Sequence, residues 1–395
     1  MKNKLFILTI ISLLLILSGC WSKRELNELA LVAALGIDYI DGEYAISVQV
    51  INPGQVSSNK PGEGQAPVVT YHGKGKTVFE AIRKLLAASP RKLYFAHMQM
   101  VIFGDELAST GLRDAVDFLA RDQEIRNDYS VIISKQATAK DVLNVLTPIE
   151  KVPANKMSNS LKGAEDAWGS TLEVDIDDLM SALGGKNPSF VISAIEVHGD
   201  KNLGIDKTNV ERVETPVLLK FTGLAIFKED KLLGYIDEYE SKSFNYLNDN
   251  IKSTIEIISC PSGGELTTEI TQSKTKTKGI IKNSQPTINI SIDIVQNVAE
   301  VKCDIDLSEI KMMDWINNQT EKYIKKNITH VLEILQENYQ ADVLGFGEAI
   351  RRADPKEWKK ISDNWQTIYP EVEVNVKVNV NTHGFGTIKN TKLKE

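Results

Sequence analysis

Five histidines, three cysteines and a few short glycine and aspartate motifs are the groups here that could do chemistry. His72, His97, His198, His330 and His383 stand apart from one another. None has the paired spacing of metal ligands or a neighbouring nucleophile motif, so core or surface packing accounts for each. Gly75-Lys76-Thr77 resembles the end of a phosphate-binding loop, but the glycine required five residues earlier is Thr70. A capped helix start explains those residues better. Gly345-Phe346-Gly347 lacks the third glycine of a dinucleotide fingerprint, because Ile350 stands in its place. Asp175, Asp177 and Asp178 suggest a calcium loop, yet no glycine and closing glutamate follow at the needed spacing. No catalytic, metal-ligating or cofactor-binding residue is expected, and the chain does not read as an enzyme.

One cysteine is different. Lys2 and Lys4 precede an uncharged run, Leu5–Leu17, and then Ser18, Gly19 and Cys20. Thirteen helical residues span roughly 20 Å, short of the ~30 Å hydrocarbon core of a bilayer. A basic start, a short apolar run and small residues describe a secretory signal peptide over residues 1–19. Leu17-Ser18-Gly19-Cys20 resembles the lipobox of bacterial lipoproteins, which implies a diacylglyceryl group with acyl chains such as palmitate on Cys20. Removing residues 1–19 takes two lysines and moves the formal charge from −7 to −9. An acidic body is not held at an anionic leaflet by electrostatics, whereas two acyl chains hold it stably. The acidity also excludes nucleic acid as a partner.

The remaining cysteines lie in strand patterns. Cys303 falls in the alternation Ala299, Val301, Cys303, Ile305, Leu307 and reads as an inert core thiol. Cys260 ends an apolar strand before Pro261. A disulfide between them is permitted outside the cytoplasm, and the sequence leaves that question open.

Positioning elements alternate between strand and helix. At ~150 residues per domain, 395 residues predict two or three domains. Leu35–Ile40 and Tyr44–Ile51 flank an Asp41-Gly42 hairpin turn, and the Pro- and Gly-rich segment 52–67 reads as a mobile loop. Thr77 and Glu80 open a helix carrying Val78, Ile82, Leu85 and Leu86. Strand His97–Phe103, helix Leu112–Ala120, strand Tyr129–Ser134 and helix Ala139–Leu146 follow. A less regular stretch, 147–188, leads to strand Phe190–His198, making 147–198 a possible sub-lobe.

Residues 199–214 read as a linker to a second α+β domain, 215–386, with room for two sub-lobes, before a tail at 387–395. Strands Val217–Phe227, Leu232–Ile236 and Thr254–Cys260 come first, with a short helix near 238–247. Ile288, Ile290, Ile292 and Ile294 alternate with polar residues, and Val372 to Val380 repeat that pattern. Such half-buried alternation argues for antiparallel sheet over a doubly wound parallel one. A long helix, Asp314–Tyr339, and another from Asp354-Pro355 with Trp358, Ile361 and Trp365 as a stripe complete the domain. Lys274, Lys276 and Lys278 make a basic strand face, read as a protected sheet edge or, more sharply, a contact for lipid headgroups. The fold class is α+β, with mixed or antiparallel sheets packed with helices.

The order of these pieces resembles the Ger(x)C family, the C-subunit lipoproteins of spore germinant receptors. The opening Gly19-Cys20-Trp21, Arg24-Glu25-Leu26 and Leu35-Gly36-Ile37-Asp38 is similar to that family, with Ser22 where an aspartate is usual. Pro90-Arg91, Leu93-Tyr94, His97, Gly104, Gly111-Leu112, Arg121 and Glu124 match its middle. Asp342, Gly345-Phe346-Gly347, Pro355, Trp358, Trp365 and the valine strand up to Gly384 match its end. The resemblance implies a non-enzymatic subunit needed for germination. It implies a lipid anchor on the outer face of the spore inner membrane, and assembly with an A subunit and a polytopic B subunit. It carries over no catalytic residue, and nutrient binding by this chain is not expected. A solute-binding lipoprotein of a transporter is the alternative class. It would show strand–helix alternation in two similar lobes, which the alternating valine and isoleucine strands argue against. A cell-wall hydrolase would need a carboxylate pair or a metal cluster, and neither is present in the sequence.

Overall fold

Asp41 and Gly42 turn the chain with positive φ at both residues, 57° and 81°, the conformation that joins twisted antiparallel strands in a two-residue hairpin. The computed structural model describes residues 28–56, 65–185, 188–261, 263–283 and 285–384. The turn connects β1 (Leu29–Ile40) to β2 (Glu43–Ile51), and β3 (Val68–Gly75) pairs antiparallel beside β2. Of the expected loop 52–67, Pro53–Val56 form one helical turn and Asn52 N–H donates to Pro67 O at 2.8 Å. Residues 57–64 lie outside the described residues.

Thr77 caps α1 (Val78–Leu85) by accepting the Glu80 N–H, and Val78, Ala81, Ile82 and Leu85 are buried. Leu86, placed on the same stripe by its spacing, is instead 39% exposed. The chain continues through β4 (Lys92–Tyr94), β5 (Met100–Gly104), α2 (Asp105–Thr110), α3 (Arg113–Arg121), β6 (Ser130–Ser134) and α4 (Ala139–Leu143). Residues 147–188, expected to be irregular, contain two helices, α5 (Pro153–Ala167) and α6 (Ile176–Leu183). The inward stripe of α5, Ala154, Met157, Leu161 and Glu165, keeps helical spacing but carries only two large apolar side chains, so it becomes readable only when the sheet face beneath is known.

β7 (Ser189–His198) pairs antiparallel with β8 (Leu218–Lys228), which pairs in turn with β9 (Lys231–Ile236). Segment 199–214, expected as a linker, therefore connects adjacent strands of one sheet, and that sheet continues to Ile236. The nine-stranded sheet runs β3-β2-β1-β5-β6-β7-β8-β9, with β4 beside β1. Its centre, β1-β5-β6-β7, is parallel and its flanks are antiparallel, a mixed sheet. Every residue of β5 and β6 is buried, because helical crossovers cover both faces and erase the alternation that an open sheet would show.

Asp237 caps α7 (Glu238–Leu247), which leads into a four-stranded sheet β10-β11-β12-β13. Its strands are β10 (Thr254–Ser259), β11 (Glu265–Lys282), β12 (Gln285–Val301) and β13 (Glu373–Gly384). β10 covers only Glu265–Ile270 of β11, so the stretch bearing Lys274, Lys276 and Lys278 is a sheet edge. β12 is antiparallel to β11 but parallel to β13, correcting the antiparallel expectation for the valine strand, because half-buried alternation reports one covered face and not strand direction. Ile288–Ile294 and Val378–Val380 meet α8 (Ile310–Glu333), α9 (Phe346–Ala353) and α10 (Pro355–Ile361) in one core. Both sheets are mixed and packed with helices, an α+β fold.

Cys260 and Cys303 form a disulfide with Cα atoms 6.3 Å apart, correcting the expectation of two core thiols. The β11–β12 hairpin returns the chain so that Lys302 N–H donates to Glu265 O at 2.8 Å and Cys260 N–H to Gly264 O at 3.0 Å. That register, invisible in local alternation, brings the thiols together.

The two sheets are joined by a buried polar cluster. Lys242 Nζ donates to Ile255 O at 2.9 Å, lies 4.0 Å from the Trp168 ring centre and 3.9 Å from Glu256. Tyr246 OH donates to Glu256 at 3.0 Å. Burial pushes the Glu256 carboxyl up and the Lys242 ammonium down, opposed in both cases by their mutual attraction. Asn245 Nδ2 donates to Gly169 O and Thr171 O, both at 2.8 Å, fixing α7 to the first lobe.

Candidate functional site

The residues singled out in the sequence separate into interior locks, local caps and pairs, and two surface grooves. Asp38 sits near the C-terminal end of β1, beside the ends of the parallel strands, where open sheets commonly bind ligands. Here the place is filled by protein. Its carboxylate accepts the Ala139 N–H at 2.8 Å and the Lys140 N–H at 3.1 Å, docking the start of α4. A Cβ at Gly104 would stand 2.0 Å from Asp38 Oδ1, so this position must lack a side chain. Burial outweighs the two amide bonds and pushes the Asp38 carboxyl up to about 6.

Asp342 makes the second lock. It accepts the Phe346 N–H at 2.7 Å, the Gly347 N–H at 2.8 Å and the Trp365 Nε1–H at 2.9 Å. The glycine pair that mimicked a nucleotide fingerprint is thus the start of α9 folded onto a buried carboxylate. Trp365 packs edge-on against Trp358, with ring centres 5.1 Å apart, so the tryptophan stripe is core.

Other candidates resolve into local structure. Asp175 and Asp178 form the capping box of α6, and Thr77 caps α1. His72 pairs with Ser47 Oγ at 2.9 Å, His198 with Glu196 at 3.4 Å, and His330 with Glu240 at 3.6 Å. His97 packs edge-on near Tyr94, and His383 meets Asn381 at 3.0 Å. Among the described residues no group of three or more His, Cys, Asp or Glu side chains could hold a metal ion. Cys20 lies outside the described residues.

Two surface features remain. Lys276, Lys278, Lys325 and Lys377 line an open groove of about 670 Å³ together with Glu333, while Lys274 is paired with Asp249. The other groove, of about 560 Å³, lies between α1, β4 and α3. Ile82, Leu93, Phe95 and Phe118 form its floor, and Phe79 and Leu86 stand on its lip at 46% and 39% exposure. The Phe79 ring lies 5.8 Å from that of Phe118 and carries the Arg83 guanidinium 4.7 Å above it. Arg121 pairs with Asp117 at 2.8 Å, and Lys92 pairs with Glu124. Leu93, Arg121 and Glu124 were visible in the sequence as matched residues, but nothing local assembled them around a groove.

The chain is a mixed α+β architecture held by two carboxylate locks, Asp38 and Asp342. Residues 22–197 match the pattern described as the spore germination protein N-terminal domain. Residues 222–386 match the spore germination B3/GerAC-like C-terminal domain. Spore germination protein KC of Bacillus subtilis (strain 168) is 31% identical, over 100% of this chain and 98% of that protein. Spore germination protein B3 of the same organism is 24% identical, over 95% and 96%. The crystal structure of the GerBC protein shares the fold, with a TM-score of 0.55 at 19% identity over 88% of this chain and 96% of that one. The chain belongs to the Ger(x)C family of spore germination proteins. That family comprises germinant receptor subunits and is not a known enzyme family. No helix among the described residues is long and apolar enough to cross a membrane.

Proposed function

We propose that this protein is the lipid-anchored C subunit of a nutrient germinant receptor. A diacylglyceryl group on Cys20 holds it to the outer face of the spore inner membrane, where it assembles with A and B membrane subunits. It works without catalysis or a resident cofactor, and the nutrient is bound by its partners. The observation that carries the reading is the match of both halves of the chain to spore germination domains. The Cys260–Cys303 disulfide adds support, because such bonds persist in oxidising compartments outside the cytoplasm. An acidic chain gains little from an anionic leaflet, which makes acylation the effective anchor.

The test is Cys20→Ala expressed in sporulating cells. The variant is expected in the soluble fraction or as unprocessed precursor, while the wild type stays with spore membranes and co-purifies with polytopic subunits. Full membrane retention of the mature-length variant would refute the lipid anchor. Recovery of the wild type only as a free monomer would refute the receptor assembly.

A further inference from the structure

We propose that the groove between α1, β4 and α3 is the seat for an amphipathic helix of a membrane-embedded partner subunit, gripped just outside the bilayer. The inference rests on the anchored-receptor reading and gives it a surface.

Helix α1 has two apolar stripes where its own fold needs one. Val78, Ala81, Ile82 and Leu85 enter the core. Phe79 and Leu86, with Arg83 between them, follow the i, i+4, i+7 spacing of a second face, which the described residues leave 46% and 39% exposed at Phe79 and Leu86. A groove with an aromatic and aliphatic floor, exposed apolar lips and a charged rim has the anatomy of a helix-binding interface. Arg83 stacked on Phe79 pre-orders the lip, which reduces the entropy lost when a partner docks.

The rim selects the occupant. Arg83, Lys92 and Arg121 are balanced by Asp117, Asp122 and Glu124, so the groove carries no net field for an anion. Against anionic headgroups the same balance gives no net electrostatic attraction to hold the groove on lipid. A helix with apolar anchors and little net charge needs no such attraction. Position then says where that helix comes from. Lys92, on the rim, pairs in register with Leu29 at the start of β1. Cys20 is nine residues upstream of Leu29, a span of at most ~30 Å when fully extended. An acyl chain on Cys20 therefore holds the groove close to the bilayer, where the helices of a membrane subunit are at high effective concentration.

The experiment places a benzophenone amino acid at Phe79 in the full chain in spores, with Ile257, an exposed residue of β10, as the control position. Irradiation is expected to join position 79 to a membrane subunit at least tenfold more than position 257. In parallel, Phe79→Glu with Leu86→Glu is expected to lower recovery of the membrane subunits at least tenfold. Its melting temperature and membrane retention should stay as in the wild type, since both side chains are exposed. Adducts to lipid alone, or undiminished recovery by the double variant while wild type also recovers the subunits, would overturn the groove and leave the assembly standing. Failure of the wild type to recover any membrane subunit would overturn both.

Discussion

Asp342 supplies the sharpest test of how this fold is held. Its carboxylate is the acceptor for three donors, the N–H groups of Phe346 and Gly347 and the indole N–H of Trp365. Replacing it with alanine removes every acceptor and leaves those part-buried donors without a protein partner. An orphaned buried donor costs about 1–3 kcal/mol, so three of them would cost ~3–9 kcal/mol taken singly. Part of that is offset. Burial already pushes the Asp342 carboxyl above the ordinary carboxylate range, so removing it relieves a desolvation penalty. With that relief set against the three lost hydrogen bonds, we expect Asp342→Ala to lose about 3–5 kcal/mol. Asp342→Asn should lose less, because one oxygen still serves Phe346 while the new amide opposes Gly347 and Trp365. Urea unfolding followed by tryptophan emission is a suitable assay, since Trp358 and Trp365 report on the same core. A loss below about 1 kcal/mol for the alanine variant, at unchanged slope, would refute the reasoning.

Asp38 predicts a pH dependence. Its folded value near 6 lies above the ordinary 3.8, so the fold binds the proton more tightly than the unfolded chain does. Its contribution to stability is complete below about pH 4 and falls as pH rises through 6, by about 3 kcal/mol. Asp38→Asn, melted from pH 4 to 7, should lose that slope; an unchanged slope would count against the burial argument. Gly104→Ala should destabilise by more than about 2 kcal/mol, because its methyl would overlap the Asp38 carboxylate. A near-neutral melting temperature would show that α4 docks less tightly than the geometry requires. Cys260→Ser with Cys303→Ser opens a loop spanning 43 positions, and chain entropy puts the loss at about 4 kcal/mol. Equal melting of the oxidised, reduced and double-serine forms would show that the bond contributes nothing.

Local chemistry was legible wherever it was local. Asp41-Gly42, the Thr77 and Asp354 caps and the valine and isoleucine strands all read correctly, because turns, caps and period-two alternation involve residues within a few positions. The matched motif residues were also visible, but their roles were not. Asp38 and Gly104 are 66 positions apart and meet only because β1 and β5 lie side by side. α5 escaped because its inward stripe holds only two large apolar residues, Met157 and Leu161, and the parallel centre of the first sheet because full burial left no alternation to read. The sequence alone determined an acidic α+β chain of family type, and the lipid attachment expected at Cys20 lies outside the described residues. Only tertiary structure decided that two distant cysteines bond, that a glycine pair wraps a carboxylate, and that Phe79, Leu93 and Arg121 share one groove. Those contacts depend on strand register and helix docking over tens to more than a hundred residues, which no window along the chain contains.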